Sequence, residues 1–156
     1  MSFLAAAALA LVISQSSVSG PPPDFAVRIT YGLCWNESVD TYRGLFTRII
    51  RDRVVRRARI SLAKPERARL YSLIVAADVF SYPTQFTPKL TGMTEPAPQF
   101  RIEIQSGGRH HVVVWTDYGS ETVEATRLRA MLVAVREFFA ELPAVKRLPL
   151  SQIVCL

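Results

Sequence analysis

The chain has 156 residues, with 19 Lys and Arg against 13 Asp and Glu, giving a formal net charge of +6. Its length is that of one domain with room for a real core, so a second large domain is not expected. The charge favours acidic partners or surfaces. Nearly all of the basic residues are Arg, and a GC-rich coding bias accounts for that count equally well.

Residues 1–20 read MSFLAAAALALVISQSSVSG, apolar throughout from Phe3 to Ile13. Such a core has signal-peptide length and falls short of the ~20 residues of a membrane span. Ser17-Val18-Ser19 fits a small-x-small cleavage site, so residues 1–19 are expected to be a signal peptide, although no Lys or Arg precedes the apolar core. The product would be exported, periplasmic or secreted, with no transmembrane span after cleavage. A buried N-terminal helix is the competing reading. The spacer at residues 20–24, with Pro21-Pro22-Pro23, argues against it, because it cannot continue a helix. The expected domain then covers residues 25–149, with a tail at 150–156.

Residues 25–31 alternate, with Phe25, Val27, Ile29 and Tyr31 on one face, and predict a half-buried strand. Residues 32–40 read as a loop. Residues 41–50 predict a second strand, with a bulge suggested at Gly44. Residues 54–60 predict a third strand, confined to a sheet edge by its arginines. Lys64 and Pro65 suit the first turn of a helix. Leu70, Leu73, Ile74 and Ala77 give that helix one apolar stripe. Ser61 is the expected substitute for a cap at Ala63, and Ser81-Tyr82-Pro83 the expected stop. Phe100, Ile102 and Ile104 then alternate with polar residues. The turn Ser106-Gly107-Gly108-Arg109 and a strand over residues 110–116 complete a hairpin. Ser120 or Thr122 caps a last helix running to about Leu142, with Leu128, Met131, Leu132, Val135, Phe138, Phe139 and Leu142 as a sustained apolar stripe, and Pro143 stops it. The expected fold class is α+β, an antiparallel sheet of four to five strands with two helices on one face, in the order ββ(β)α–ββα.

Chemistry-bearing patterns are sparse. His110 and His111 are the only histidines, and neighbours on a strand face opposite ways. His111 shares its parity with Asp117, so a dyad is one reading, and one half-buried and one solvent-facing histidine is the plainer one. The ligand spacing of a zinc site and the G-x-S-x-G elbow of a hydrolase are both missing from the sequence. Gly107-Gly108 precedes a strand, whereas a phosphate cradle precedes a helix. A non-enzymatic protein without a cofactor is expected.

Two surfaces are candidates for binding. The segment at residues 82–98 is longer than most loops of compact domains. It carries Tyr82, Phe86, Leu90 and Met93 among its prolines, and Trp35 is a further aromatic candidate; packing against the core is the alternative for all of them. The densest charge run is Arg48, Arg51, Arg53, Arg56, Arg57 and Arg59, opposed by Asp52 alone. It could dock an anionic envelope component. It lacks the interleaved aromatics of nucleic-acid readers, and nucleic acid is not an expected partner of an exported protein. The plain alternative is a solvated edge whose charges block aggregation. Cys34 and Cys155 form an even pair, which suits a disulfide in an exported chain, but two separate thiols remain open at this level.

Tyr31-Gly32-x-Cys34, Val39-Asp40-Thr41-Tyr42-x-Gly44 and Phe80-Ser81-Tyr82-Pro83 together resemble a family of small exported bacterial proteins of unassigned function, over about residues 25–149. The basic run at residues 51–59 departs from that pattern. The order of elements also bears a distant topological likeness to emfourin-type inhibitors of thermolysin-like metalloproteases. That likeness implies a protease inhibitor among the options for a small exported binding domain, and the 82–98 segment, singled out by its own length and aromatics, is the expected contact. It carries over no inhibitory residue.

Overall fold

The computed structural model describes residues 20–31, 36–51, 54–88 and 97–152. The signal-peptide reading of residues 1–19 and the candidates Trp35, Leu90, Met93, Arg53, Cys34 and Cys155 lie outside them.

Among the described residues the fold is α+β, with seven strands where four to five were expected and three helices where two were expected. In chain order these are β1 (Ala26–Tyr31), β2 (Glu37–Asp40), β3 (Leu45–Arg51), β4 (Val54–Arg59), α1 (Lys64–Ala76), β5 (Gln85–Phe86), β6 (Gln99–Ser106), β7 (Arg109–Thr116), α2 (Val123–Glu141) and α3 (Pro143–Lys146). They build one sheet in the order β4-β3-β2-β1-β6-β7-β5. Its pairings are antiparallel except for β5 beside β7.

The two extra strands come from segments that read as loops. β2 has the sequence ESVD, with Val39 its one apolar residue. Little in so polar a stretch predicts a strand. It forms because β1 and β3 flank it on both sides and satisfy its backbone, a tertiary effect that outweighs propensity. β5 is two residues long and lies where the long 82–98 connection crosses the open edge of β7.

The second predicted strand begins later than the sequence implies. Residues 41–44 are a turn, held by Thr41, whose hydroxyl accepts from the Val27 N–H at 2.7 Å. Gly44 sits in this turn at φ +61°, and an added Cβ would lie 2.7 Å from the Ile60 carbonyl oxygen. The irregularity expected there falls instead between Ile49 and Arg51.

α1 starts after Ala63, not Ser61. No cap side chain accepts its first N–H groups, but the Glu66 carboxylate turns back to accept from the Ala63 N–H at 2.7 Å. The helix ends before the expected stop: Asp78 takes φ +50°, and a single 3₁₀ turn, Val79–Ser81, follows. The second hairpin forms as predicted. Gly107 and Gly108 have φ of +58° and +74°, the signs a two-residue type I′ turn requires. Asp24, from the spacer, caps this turn, accepting from the Gly107 and Gly108 N–H groups at 2.8 and 2.7 Å. Those bonds, with the Gln105 amide, hold its carboxyl below the usual carboxylate value. Thr122 caps α2, accepting from the Ala125 N–H. Pro143 ends α2 and also opens α3, where its missing N–H costs nothing.

The core lies on one face of the sheet. Val27, Ile29, Val39, Phe46, Ile102 and Val113 project from it and join Leu70 and Ile74 of α1 and the α2 stripe from Leu128 to Phe139. On the other face of the five central strands no described residue is fully buried. Among the described residues no helix is long and apolar enough to cross a membrane.

Candidate functional site

Cross-strand partners share a face, so the pairing register lays the open face out in rows. One row runs Arg57, Thr47, Ser38, Thr30, Arg101 across β4, β3, β2, β1 and β6. Four interstrand spacings make it about 19 Å long. Arg57, Thr30 and Arg101 are exposed, and Thr47 and Ser38 are half-buried. The row therefore has a guanidinium at each end and three hydroxyls between. The next row runs Arg59, Leu45, Asp40, Arg28, Glu103. Here the positive charge is partly spent internally, because Arg28 donates to Asp40 at 2.9 Å and to Glu103 at 3.2 Å.

The basic run thus divides. Arg51, Arg56, Arg57 and Arg59 are exposed and make no ion pair among the described residues. Arg56 has the opposite parity to Arg57 and Arg59, and its Nη1 donates weakly to the Val55 carbonyl. Arg48 belongs to the run by sequence alone. It points to the helix side, is buried, and its Nε donates to Glu37 at 2.7 Å. Arg136 of α2 donates to the other oxygen of Glu37 at 3.2 Å. The parity of β3, where Phe46 and Ile50 flank Arg48 at two-residue spacing, was the available signal for this inward turn. Arg101 was missed because it reaches the row only through the β1–β6 pairing, 44 residues beyond Arg57 in the chain.

The other candidates are placed differently. Tyr82 is buried at 4% exposure, and its hydroxyl donates to the Glu124 carbonyl at 2.9 Å. Phe86 packs on Tyr82 and Trp115, with ring centroids 5.1 and 6.1 Å apart. Tyr82 is therefore a core residue, and Phe86 packs, partly buried, against that core.

His111 and Asp117 are not joined. The His111 Nε2 lies 2.8 Å from the Tyr82 carbonyl, to which it can only donate. Both Asp117 oxygens accept from Arg129, at 2.7 and 2.8 Å. This bonding raises the affinity of the Arg129 guanidinium for its proton. His110 is exposed on the opposite face, 3.3 Å from Glu103. Among the described residues no three His, Cys, Asp or Glu side chains cluster as metal ligands would.

Compared with protein-family models and with curated proteins, the chain matches none.

Proposed function

We propose that this is an exported, non-enzymatic binding domain that docks an anionic component of the cell envelope through its open sheet face. The observation that carries the reading is the row Arg57-Thr47-Ser38-Thr30-Arg101. It offers two guanidinium groups without an ion pair, and three hydroxyls, in line on a face that no helix covers among the described residues. Phosphate or sulfate groups spaced along a surface would meet guanidinium donors at the ends and hydroxyl donors between them. Arg59 and Arg51 extend the positive field toward the β4 edge, and the same charges keep that edge from pairing with another sheet. Engagement of an exported protease through the 82–98 segment has less support, because Tyr82 and Phe86 are committed to packing.

The test is co-sedimentation with vesicles of phosphatidylglycerol against vesicles of phosphatidylcholine. The protein should sediment with the anionic vesicles alone, and added salt should release it, since exposed charges are screened within about 8 Å at physiological ionic strength. Arg57→Glu with Arg101→Glu should abolish sedimentation while leaving the circular dichroism unchanged. Binding that ignores both salt and charge reversal would overturn the reading.

A further inference from the structure

A cleft of about 320 Å³ lies between the end of α1 and the β6–β7 hairpin. The core residue Ile104 lines it, so it is on the helix side of the sheet, opposite the arginine row. Phe25, Tyr71, Val75 and Phe80 form its walls, and Asp78 and Arg109 also border it. Val75 is 45% exposed there, an apolar side chain that the core leaves uncovered. The walls are held before any ligand arrives. Phe25 and Tyr71 meet edge to face with ring centroids 5.0 Å apart. The Arg67 Nη2 donates to the Pro22, Pro23 and Phe25 carbonyls at 2.9, 2.9 and 2.8 Å, which pins the spacer beside them.

The two charged residues of the cleft are opposite in sign, yet they are not paired with each other. Among the described residues neither makes an ion pair. Asp78 is fixed by the turn that ends α1, where it takes φ +50° and its carbonyl accepts from the Ser81 N–H at 2.9 Å. Arg109 is fixed by Phe80, with its guanidinium carbon 4.2 Å from the ring centroid. Stacking on a ring leaves the in-plane N–H donors of a guanidinium open to a carboxylate. The neighbouring Asp24 is already taken by the Gly107 and Gly108 N–H groups. A simple anion in the cleft would meet Arg109 but be opposed by Asp78, and a simple cation would meet the reverse. A ligand carrying both charges satisfies both residues. The C-terminal end of α1, with no basic residue in its last turn, adds a field that favours an ammonium beside Asp78. Small-molecule sites hold about 300–1,000 Å³, so a cleft at the low end suits a ligand the size of one residue.

We infer that this cleft binds a free α-amino acid with an apolar side chain. The carboxylate of the ligand accepts from the Arg109 guanidinium, its ammonium donates to Asp78, and its side chain lies against Tyr71, Val75 and Phe80. The apolar walls select against a polar side chain, which would lose its water there without gaining a partner. The site is separate from the open sheet face, so either reading can fail without the other.

The experiment is titration calorimetry of the purified protein with L-phenylalanine and with analogues that each lack one feature. Hydrocinnamate lacks the ammonium, phenylalaninamide lacks the carboxylate, and L-serine lacks the apolar side chain. Phenylalanine should bind saturably at millimolar concentration or below, and each of the other three about tenfold or more weakly. Arg109→Gln should weaken phenylalanine by about tenfold and leave phenylalaninamide unchanged, because the amide has no carboxylate to lose. Asp78→Asn keeps a residue that tolerates positive φ, and should weaken phenylalanine by about tenfold without weakening hydrocinnamate. Both variants should melt with the parent, since both side chains are exposed. Absence of saturable phenylalanine binding would overturn the inference. So would equal affinity for phenylalanine and any of the three analogues, or variants that bind phenylalanine as the parent does.

Discussion

Arg48 and Arg57 lie on neighbouring strands and carry the same side chain, yet they meet opposite surroundings. Arg48 faces the helices, where Glu37 takes its Nε at 2.7 Å and both side chains are 9% exposed. Arg57 faces solvent, opposite Thr47, without an acid among the described residues. The difference is a matter of parity. On a strand, alternate residues face alternate sides, so a run of arginines is divided by the sheet between core and surface. Arg48 and Arg56 share the helix-side face; Arg48 is buried and must be paired, because a buried charge without a partner is costly, whereas Arg56, on the edge strand, is exposed like Arg57 and Arg59 on the other face. A charge count over residues 48–59 would treat them as one patch; the sheet separates a buried, paired arginine from exposed ones.

The largest test of that division removes the acid on the buried side. Glu37→Ala strands Arg48, and with it the Arg136 contact, and should cost about 3–5 kcal/mol in urea unfolding. A loss below about 1 kcal/mol would mean that Arg48 finds water and is not a core residue. Next comes the turn that sets the parity. Gly44→Ala puts a Cβ against the Ile60 carbonyl at a positive φ, and about 2 kcal/mol or more of stability should be lost. An unchanged midpoint would show that the β2–β3 register is fixed elsewhere.

A smaller effect is expected at the other hairpin, where an acid serves the backbone and no arginine is involved. The folded state lowers the Asp24 pKa, chiefly through the Gly108 N–H and then the Gln105 amide and the Gly107 N–H. Its contribution is therefore present above the unfolded carboxyl value of about 3.9 and is lost as pH falls through the folded value. Asp24→Asn should be less stable than the parent at neutral pH, and urea midpoints should converge as pH drops below about 4. A gap that is constant with pH would dismiss the carboxylate as its source. The smallest stability change belongs to the exposed group. Arg57→Glu with Arg59→Glu should alter unfolding by less than about 0.5 kcal/mol per site. Its effect should appear instead as weakened, salt-sensitive binding to anionic vesicles. A large loss of stability would place these two arginines with Arg48 and end the distinction.

How legible was this in the chain? The β6–β7 hairpin and the α2 stripe were readable because their apolar periods are long and their turn and cap residues are specific, Gly107-Gly108 and Thr122 among them. β2 and β5 were not, because ESVD and QF carry no period and owe their strand form to their neighbours. Tyr82 and Phe86 stand out in the sequence because prolines and aromatics mark loops and cores alike; in the structure Tyr82 is buried and Phe86 packs on it, partly buried. The arginine run is visible in the sequence as charge, but charge alone does not show its division. Arg48 follows the parity of Phe46 and Ile50, and its partner Glu37 sat in what seemed a loop.

The sequence by itself determined the α+β class, the second hairpin, the closing helix and the excess of unopposed arginine, since periodicity, turn chemistry and charge are local properties of the chain. The tertiary structure decided which arginine is buried and paired, and which three hydroxyls complete the row from Arg57 to Arg101. Those are statements about register and neighbours. They arise from backbone hydrogen bonds between segments far apart in the chain, a kind of information that residue spacing does not contain.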